Sequence, residues 1–218
     1  MAFLDHPAWQ LFLERLPEGL LNTVLLTAGG LVIAVSQGAI LAAARISKGR
    51  ALSAAAGALI EIGRAIPTFV LLFLIYFGLL AYSVPITTFQ TAMLALGIHA
   101  GFFVAEIFRS GIQSTPRGVI EAATALGMSR WRIAQRVISP ISTRIMWPLL
   151  AQIVVGTLLG SSIASLIGVR EITNNSRNII DHYFATSLWV AVAVTYFVLA
   201  FPLSRAFGRI EQRFPAHL

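Results

Sequence analysis

The sequence of 218 residues contains no cysteine and little charge. The absence of cysteine excludes a disulfide framework, thiolate chemistry and a cysteine-based metal site. Charged residues make up only 11% of the chain, whereas 57% of its residues are hydrophobic and its mean hydropathy is +0.80. A soluble domain needs far more charge to cover its surface. The composition therefore predicts a polytopic membrane protein.

The chain also lacks the sequence features of an ATPase and of a secreted precursor. It contains no Gly-x-x-x-x-Gly-Lys-Ser/Thr motif, and no glycine-rich turn follows a strand pattern, so we expect no nucleotide site. The first ten residues contain Asp5 and no Lys or Arg, and the first apolar segment is too long for a signal-peptide core. We expect no cleaved leader.

Several apolar segments are long enough to cross a bilayer, since about 20 helical residues span the hydrocarbon core of ~30 Å. Five spans are predicted, at residues 20–44, 53–80, 88–108, 145–167 and 184–207. The second span is too long for one straight upright helix. It contains Pro67, which removes a backbone donor and is expected to bend or break it. The predicted fold class is an all-α membrane protein.

The chain has a net charge of +7, and its basic residues lie in short loops beside the apolar spans rather than along one polar face. Twelve of the 16 Lys and Arg residues fall on one side of the predicted spans. This distribution encodes orientation and does not favour nucleic-acid binding. It places the N-terminus outside and the C-terminus in the cytoplasm. The predicted divisions are an external N-terminal segment, a transmembrane domain and a cytoplasmic tail, at residues 1–19, 20–210 and 211–218.

The loop between the third and fourth spans, residues 114–144, has the pattern of a helix, a turn and a second helix. Pro116 suits the first turn of a helix, and Gly127 is placed to end that helix in a left-handed cap. Ser129 can cap the second helix, which Pro140 is expected to stop or bend. An amphipathic helix lying on membrane lipid is the alternative interpretation of this loop.

Three motifs occur together in the order and at the spacing of a known family. One is Glu121-Ala122-Ala123 followed by three residues and Gly127; the others are Ile60-Glu-Ile-Gly-Arg-Ala-Ile-Pro67 and Ala105-Glu-Ile-Phe-Arg-Ser-Gly-Ile112. From about Leu20 to Arg213, the chain resembles the permease subunits of ABC importers for polar amino acids, of the histidine, glutamine and arginine type. The resemblance implies the type I importer fold. It also implies a multi-pass location in a bacterial inner membrane, with the N-terminal segment in the periplasm. The chain departs from the pattern at Ser139, where the family has Leu before the proline.

The resemblance implies a division of labour among several proteins. Two permease subunits, as a homodimer or a heterodimer, form the pathway, and a dimer of ATP-binding subunits holding ATP and Mg powers it. A periplasmic substrate-binding protein delivers a polar amino acid or a derivative such as an opine. The residues implied in coupling to the ATPase are Glu121, Ala122, Ala123, Leu126, Gly127, Met128 and Trp131. No cofactor is expected in this chain itself.

Polar groups inside the predicted spans are candidates for the substrate pathway, because a charged residue in hydrocarbon costs at least ~2.5 kcal/mol. The candidates are Glu61, Arg64, Pro67, Thr68, His99, Ser161 and Ser162. Glu61 and Arg64 form either an intrahelical ion pair or a substrate contact beside the break at Pro67. His99 is either a packed, hydrogen-bonded residue or a substrate ligand. The two serines can instead bond back to their own helix.

Small residues recur at every fourth position in two of the spans. Gly97 and Gly101 lie in the third span, and Gly156 and Gly160 lie in the fourth. Such stripes permit close approach of helix backbones, so these glycines are predicted to pack helices. A moving contact during opening and closing of the pathway is the alternative.

The substrate is left open by the resemblance. Related permeases often have Lys-Asp/Ser-Thr where this chain has Leu159-Gly160-Ser161, and the missing carboxylate argues against a cationic amino acid held in that way. The chain could also be the half of a heterodimer that holds no substrate. An ion-coupled secondary transporter is the alternative function, although it usually needs more spans and inverted repeats. A membrane enzyme would need converging catalytic groups, and Glu61, His99 and Glu106 are scattered.

Overall fold

The computed structural model describes residues 7–212, so Arg213 and the predicted outermost ends of both terminal segments lie outside the described residues. This part of the chain is helical and contains no strand, which confirms the predicted fold class. The α-helices are α1 (Pro7–Ile46), α2 (Arg50–Ala65), α3 (Thr68–Ala81), α4 (Thr88–Gln113), α5 (Arg117–Ala125), α6 (Arg130–Ile133), α7 (Ser139–Gly160), α8 (Ile172–Tyr183) and α9 (Leu188–Glu211). A π-helical turn, Ala134–Ile138, joins α6 to α7, and a 3-10 helix, Ser161–Ile167, extends α7.

Four helical segments of the described chain are long and apolar enough to cross a membrane. They are α1, α4, the continuous helix of residues 130–167, and α9. Helices α2 and α3 pass the same test only together and are bent by 103° at their junction. The predicted break at Pro67 is confirmed. Because a residue before proline avoids helical geometry, Ile66 is extended at φ −79° and ψ 124°, and Pro67 precedes the first residue of α3.

Helix α1 starts at Pro7, well before the predicted start of the first span at Leu20. Its early turns bury Ala8 and Phe12 against α8 and α9. Helix α8 lies in a segment for which no helix was predicted. Its sequence is polar overall, yet Ile172 and Ile179 on one face are buried in the same cluster. Hydropathy located the apolar spans, whereas these two helical stretches depend on burial of one face against other helices.

Pro140 was expected to stop or bend the second helix of the loop, and the first of these alternatives is wrong. The helix continues from Arg130 to Ile167 through a wider turn immediately before the proline. There, the Ser139 N–H donates to the carbonyl of Ala134, five residues earlier, which is the bonding of a π-helical turn. Pro140 then occupies an early position of α7, where a missing N–H donor is tolerated.

The most closely packed helices are α1 and α4. A Cβ atom on Gly97 would stand 2.6 Å from Ile33 Cβ and 2.8 Å from the Gly30 carbonyl oxygen, and one on Gly101 would stand 2.9 Å from Gln37 Cδ. The amide of Gln37 donates across the same contact to the Ile98 carbonyl at 3.2 Å. The packing prediction is therefore confirmed for Gly97 and Gly101, and their partner is α1.

Candidate functional site

A cavity of about 220 Å³ lies where α3, α4 and α7 meet. It brings together four residues that the sequence singled out in three different spans: Thr68, His99, Gly156 and Gly160. Its other lining residues are Leu96, Ala100, Phe103, Gln152, Ile153 and Thr157. The lining is mostly apolar with a few convergent hydrogen-bonding groups, which is the usual composition of a small-molecule site.

His99 is held by the helix break at Pro67. Because α3 starts directly after Pro67, Thr68 is its first residue, and Thr68 Oγ1 lies 3.1 Å from His99 Nδ1. The imidazole ring also lies 5.2 Å from the ring of Phe103, one turn further along α4. His99 is thus hydrogen-bonded and half-buried while it still lines the cavity. A contact with substrate stays a prediction, and the geometry permits it.

Gly156 and Gly160 line the cavity. A Cβ atom on Gly156 would meet no described heavy atom within 4 Å, and one on Gly160 would meet only Leu96 Cδ2 of α4, at an ordinary contact distance of 3.8 Å. The close backbone approach seen at Gly97 and Gly101 is therefore not repeated here, and a packing role for these two glycines stays a prediction. The absence of side chains at these two positions keeps the cavity open, because larger residues there would fill it.

Glu61 and Arg64 do not form the ion pair that their spacing allowed. The ion pairs within residues 7–212 are Glu106 with Arg109 and Glu18 with Arg170. The Arg64 guanidinium instead lies over the Phe103 ring on α4, 5.3 Å from its centroid, in a cation–π contact. Neither Glu61 nor Arg64 lines the cavity, so their proposed contact with substrate in this space is not supported by the geometry.

The two serines at the end of the fourth span bond back to their own helix. Ser161 Oγ donates to the Leu158 carbonyl and Ser162 Oγ donates to the Leu159 carbonyl, both at 2.7 Å. Ser161 is fully buried, and neither serine lines the cavity. The alternative that the sequence left open for them, local back-bonding, is the observed one.

Gln152 and Thr157 are cavity residues that sequence reasoning missed. Thr157 Oγ1 donates to the Ile153 carbonyl at 2.7 Å, whereas the Gln152 amide makes no hydrogen bond within residues 7–212. Gln152 also borders a second cavity of about 530 Å³ between α7 and α9. A signal was present, since Gln152 precedes Gly156 and Gly160 at intervals of four and shares their helix face.

The loop between α4 and α7 has the predicted helix, turn and helix. Gly127 has φ +73°; its N–H donates to the Thr124 carbonyl at 2.9 Å, and the Met128 N–H donates to the Ala123 carbonyl at 3.2 Å. This pair of bonds is a Schellman cap, so the predicted left-handed end is confirmed. Ser129 also caps α6 as predicted, since its Oγ accepts a bond from the Arg132 N–H at 3.4 Å.

Apolar side chains protrude from this turn. Leu126 is 82% exposed and Trp131 is 70% exposed, and Glu121 and Ala122 are exposed on α5, while Ala123 is buried. Large apolar groups that stand free on a polar loop mark a contact surface. The loop therefore exposes an apolar surface that another protein or the membrane surface can cover.

A buried carboxyl group organises the connection between α7 and α9. Glu171 is fully buried, accepts bonds from the backbone N–H groups of Thr173 and Asn174 at 2.9 and 2.7 Å, and accepts the Tyr196 hydroxyl at 2.7 Å. Burial raises the pKa of the Glu171 carboxyl above its ordinary value. The group caps the start of α8 and ties it to α9.

Comparison with known proteins gives the same family over nearly the whole chain. The family described as "Binding-protein-dependent transport system inner membrane component" matches residues 21–215. The glutamine transport system permease protein GlnP of Escherichia coli (strain K12) is 36% identical over 210 residues, which cover 95% of this chain and 94% of that protein. The nopaline transport system permease protein NocM of Agrobacterium fabrum is 31% identical and covers 90% of this chain.

Solved structures agree with that assignment. A crystal structure of an amino acid ABC transporter with histidines superposes with a TM-score of 0.84 at 31% identity, and the match covers 94% of each chain. The MetNI methionine ABC transporter in an inward-facing conformation shares the fold, with a TM-score of 0.71 at 22% identity. This protein belongs to the family of binding-protein-dependent transport system inner membrane components. It is a multi-pass permease subunit of an ABC importer.

Proposed function

We propose that this permease subunit forms the membrane pathway for a polar amino acid or an amino-acid-derived solute such as an opine. The observation that carries the proposal is the cavity of about 220 Å³ in which Thr68 of α3, His99 of α4 and Gln152 of α7 converge. Relatives whose names specify glutamine and nopaline support a substrate of this class. The cavity volume is large enough for an amino acid of ordinary size.

The turn around Gly127 is the docking element for a dimer of ATP-binding subunits. The exposed Leu126 and Trp131 supply the apolar contact, and Glu121, Ala122, Ala123 and Met128 frame the turn. ATP and Mg are held by those partner subunits. A periplasmic substrate-binding protein delivers the solute, and a second permease subunit, identical or different, completes the pathway.

In the proposed orientation, α8 lies outside the cell and the Gly127 turn lies in the cytoplasm. The asymmetry of Lys and Arg between the two sides supports this arrangement. The chain contains no cysteine, so single cysteines can be introduced at the exposed positions Asn178 and Arg130. A membrane-impermeant thiol reagent added to intact cells should label the cysteine at 178 and not the one at 130. The opposite labelling would overturn both the topology and the docking role.

The function itself is tested by isolation and reconstitution. The tagged chain should copurify with an ATP-binding protein, and the complex in vesicles should accumulate labelled polar amino acids when ATP and a loaded binding protein are supplied. An ion gradient alone should drive no uptake. Uptake that follows an ion gradient and ignores ATP would establish a secondary transporter instead.

A further inference from the structure

A polar cavity of about 560 Å³ lies between the N-terminal part of α1 and helix α8. None of the described residues that line it has a large apolar side chain. In the proposed orientation it lies on the outer side of the membrane, and we call it the outer cavity. Its lining residues are Arg15, Glu18, Gly168, Arg170, Asn174, Asn175, Arg177 and Asn178.

The outer cavity gathers every basic residue that the predicted topology leaves outside. Twelve of the 16 Lys and Arg residues fall on the cytoplasmic side, and Arg64 lies within the second predicted span. The remaining three are Arg15, Arg170 and Arg177, and each of them lines the outer cavity. Glu18 is the one carboxylate among the described lining residues, and its Oε1 lies 3.8 Å from Arg170 Nη1. The cavity therefore has an excess of positive charge on the side where membrane topology makes such charge scarce.

Hydrogen bonds between neighbouring elements hold the backbone that carries these arginines. Asn175 Nδ2 donates to the Arg15 carbonyl at 3.4 Å, and Asn22 Nδ2 donates to the Arg170 carbonyl at 2.7 Å. Helix α8, which carries the third arginine, is capped at its start by the buried carboxyl group of Glu171. Because the backbone is fixed before a ligand arrives, less conformational freedom is lost on binding.

The chemistry of the outer cavity favours carboxylates on a protein over a lipid headgroup. Guanidinium groups pair with carboxylates and phosphates through parallel N–H donors. The negative surface potential of anionic lipids belongs to the cytoplasmic leaflet, and the polar lining offers no apolar surface on which an acyl chain would lie. A volume of about 560 Å³ admits several acidic side chains.

We propose that the outer cavity is the docking site for acidic side chains on the protein that delivers the substrate from outside. The inference rests on the proposed function, because it assigns the surface and the charge through which that partner binds. The Arg170 side chain is 76% exposed, so the ion pairs form in contact with water. Such pairs determine the position and the salt dependence of docking more than its strength.

Uptake by sealed vesicles of phosphatidylcholine tests the proposal. The vesicles contain the full chain with its copurifying ATPase and enclose ATP, so only complexes whose outer side faces the medium are active. Labelled amino acid is supplied on a loaded binding protein, and the rate of uptake is measured against the concentration of that protein. The half-saturating concentration reports docking, whereas the maximal rate reports the later steps.

Arg15→Gln, Arg170→Gln and Arg177→Gln are combined in one chain. Loss of three exposed ion pairs should raise the half-saturating concentration roughly 3- to 150-fold and leave the maximal rate unchanged. Arg→Lys substitutions at the same three positions keep the charge and should have a smaller effect. Added salt should raise the half-saturating concentration for the wild type and have little effect on the triple Gln variant.

Lys48→Gln, Arg50→Gln and Arg209→Gln together are the matched control. They remove the same formal charge from exposed positions on the cytoplasmic side, so the half-saturating concentration should not change. A second measurement needs no variant of the chain. Hexaglutamate added outside should compete with the binding protein on the wild type, and hexaglutamine should not.

Four results would overturn the proposal. They are an unchanged half-saturating concentration in the triple Gln variant, an equal change in the control, a fall in maximal rate alone, and an effect that requires phosphatidylglycerol in the vesicles, which would assign the arginines to a lipid headgroup. If ATP-dependent uptake persists while docking ignores the three arginines, only this inference fails. If no ATP-dependent uptake occurs with any solute, the proposed function fails and this inference fails with it.

Discussion

The glycine pair Gly97 and Gly101 in α4 and the pair Gly156 and Gly160 in α7 have the same four-residue spacing but different surroundings. The first pair touches α1 so closely that an added Cβ on Gly97 would stand 2.8 Å from a backbone oxygen. The second pair borders a cavity, and an added Cβ on Gly156 would meet nothing within 4 Å in this chain. A small-residue stripe therefore indicates that space is needed, and it does not indicate whether a helix or a ligand uses that space.

The largest effect is expected at the packed pair. Gly97→Leu forces a side chain into Ile33 and the Gly30 carbonyl, so it should destabilise the chain by about 1–3 kcal/mol or more. Gly78→Leu in α3 is the control, because a Cβ at Gly78 meets nothing within 4 Å. Thermal unfolding of the purified variants measures the difference. Equal stability of the two variants would remove the distinction between the glycine pairs.

Gly156→Leu should abolish transport while it leaves the fold intact. The leucine occupies open space, so the stability change should stay within about 0.5 kcal/mol, yet the side chain fills the cavity that the substrate needs. Uptake by vesicles and thermal unfolding of the same preparation are measured together, with Gly78→Leu as the control again. Normal uptake by Gly156→Leu would show that the substrate does not use this space.

His99→Ala tests the cavity from the opposite wall. Loss of a polar contact with the ligand should weaken its apparent affinity roughly 5- to 150-fold and leave basal ATPase activity and assembly unchanged. If His99 only holds Thr68 in place, the same change should lower thermal stability and spare affinity for the delivered substrate. Affinity and stability measured on one reconstituted complex separate the two roles.

The smallest effect is expected at Gly127, where the left-handed backbone conformation and not the surrounding space requires a glycine. Gly127 has φ +73° and open space around it, so Gly127→Ala should cost about 1 kcal/mol through backbone strain alone. Gly118 lies in the helical α5, also in open space, and Gly118→Ala should instead stabilise that helix by about 0.5–1 kcal/mol. Hydrogen exchange of the loop amides in the two variants should therefore shift in opposite directions. A loss of protection in both would contradict the assigned cap.

The candidate site was only partly accessible to sequence reasoning. His99 and Thr68 were identified because a polar group in an apolar span is conspicuous by itself. Gln152 satisfies the same criterion but was not selected, and its position opposite His99 depends on which face of α7 turns toward α4. Arg64 was placed beside the break at Pro67, yet its spacing from Glu61 could not reveal that its guanidinium lies over Phe103 of another helix.

The sequence by itself determined the features that depend on neighbouring residues along the chain. These are the apolar spans, the break at Pro67, the left-handed end at Gly127 and the cap at Ser129, each of which follows from local backbone geometry or hydrophobicity. Only the tertiary structure decided that α1 extends to Pro7, that α8 is a helix, and that one glycine pair lies against α1 while the other lines a cavity. These outcomes depend on which helix faces meet, and that is set by the burial of many side chains distant in sequence.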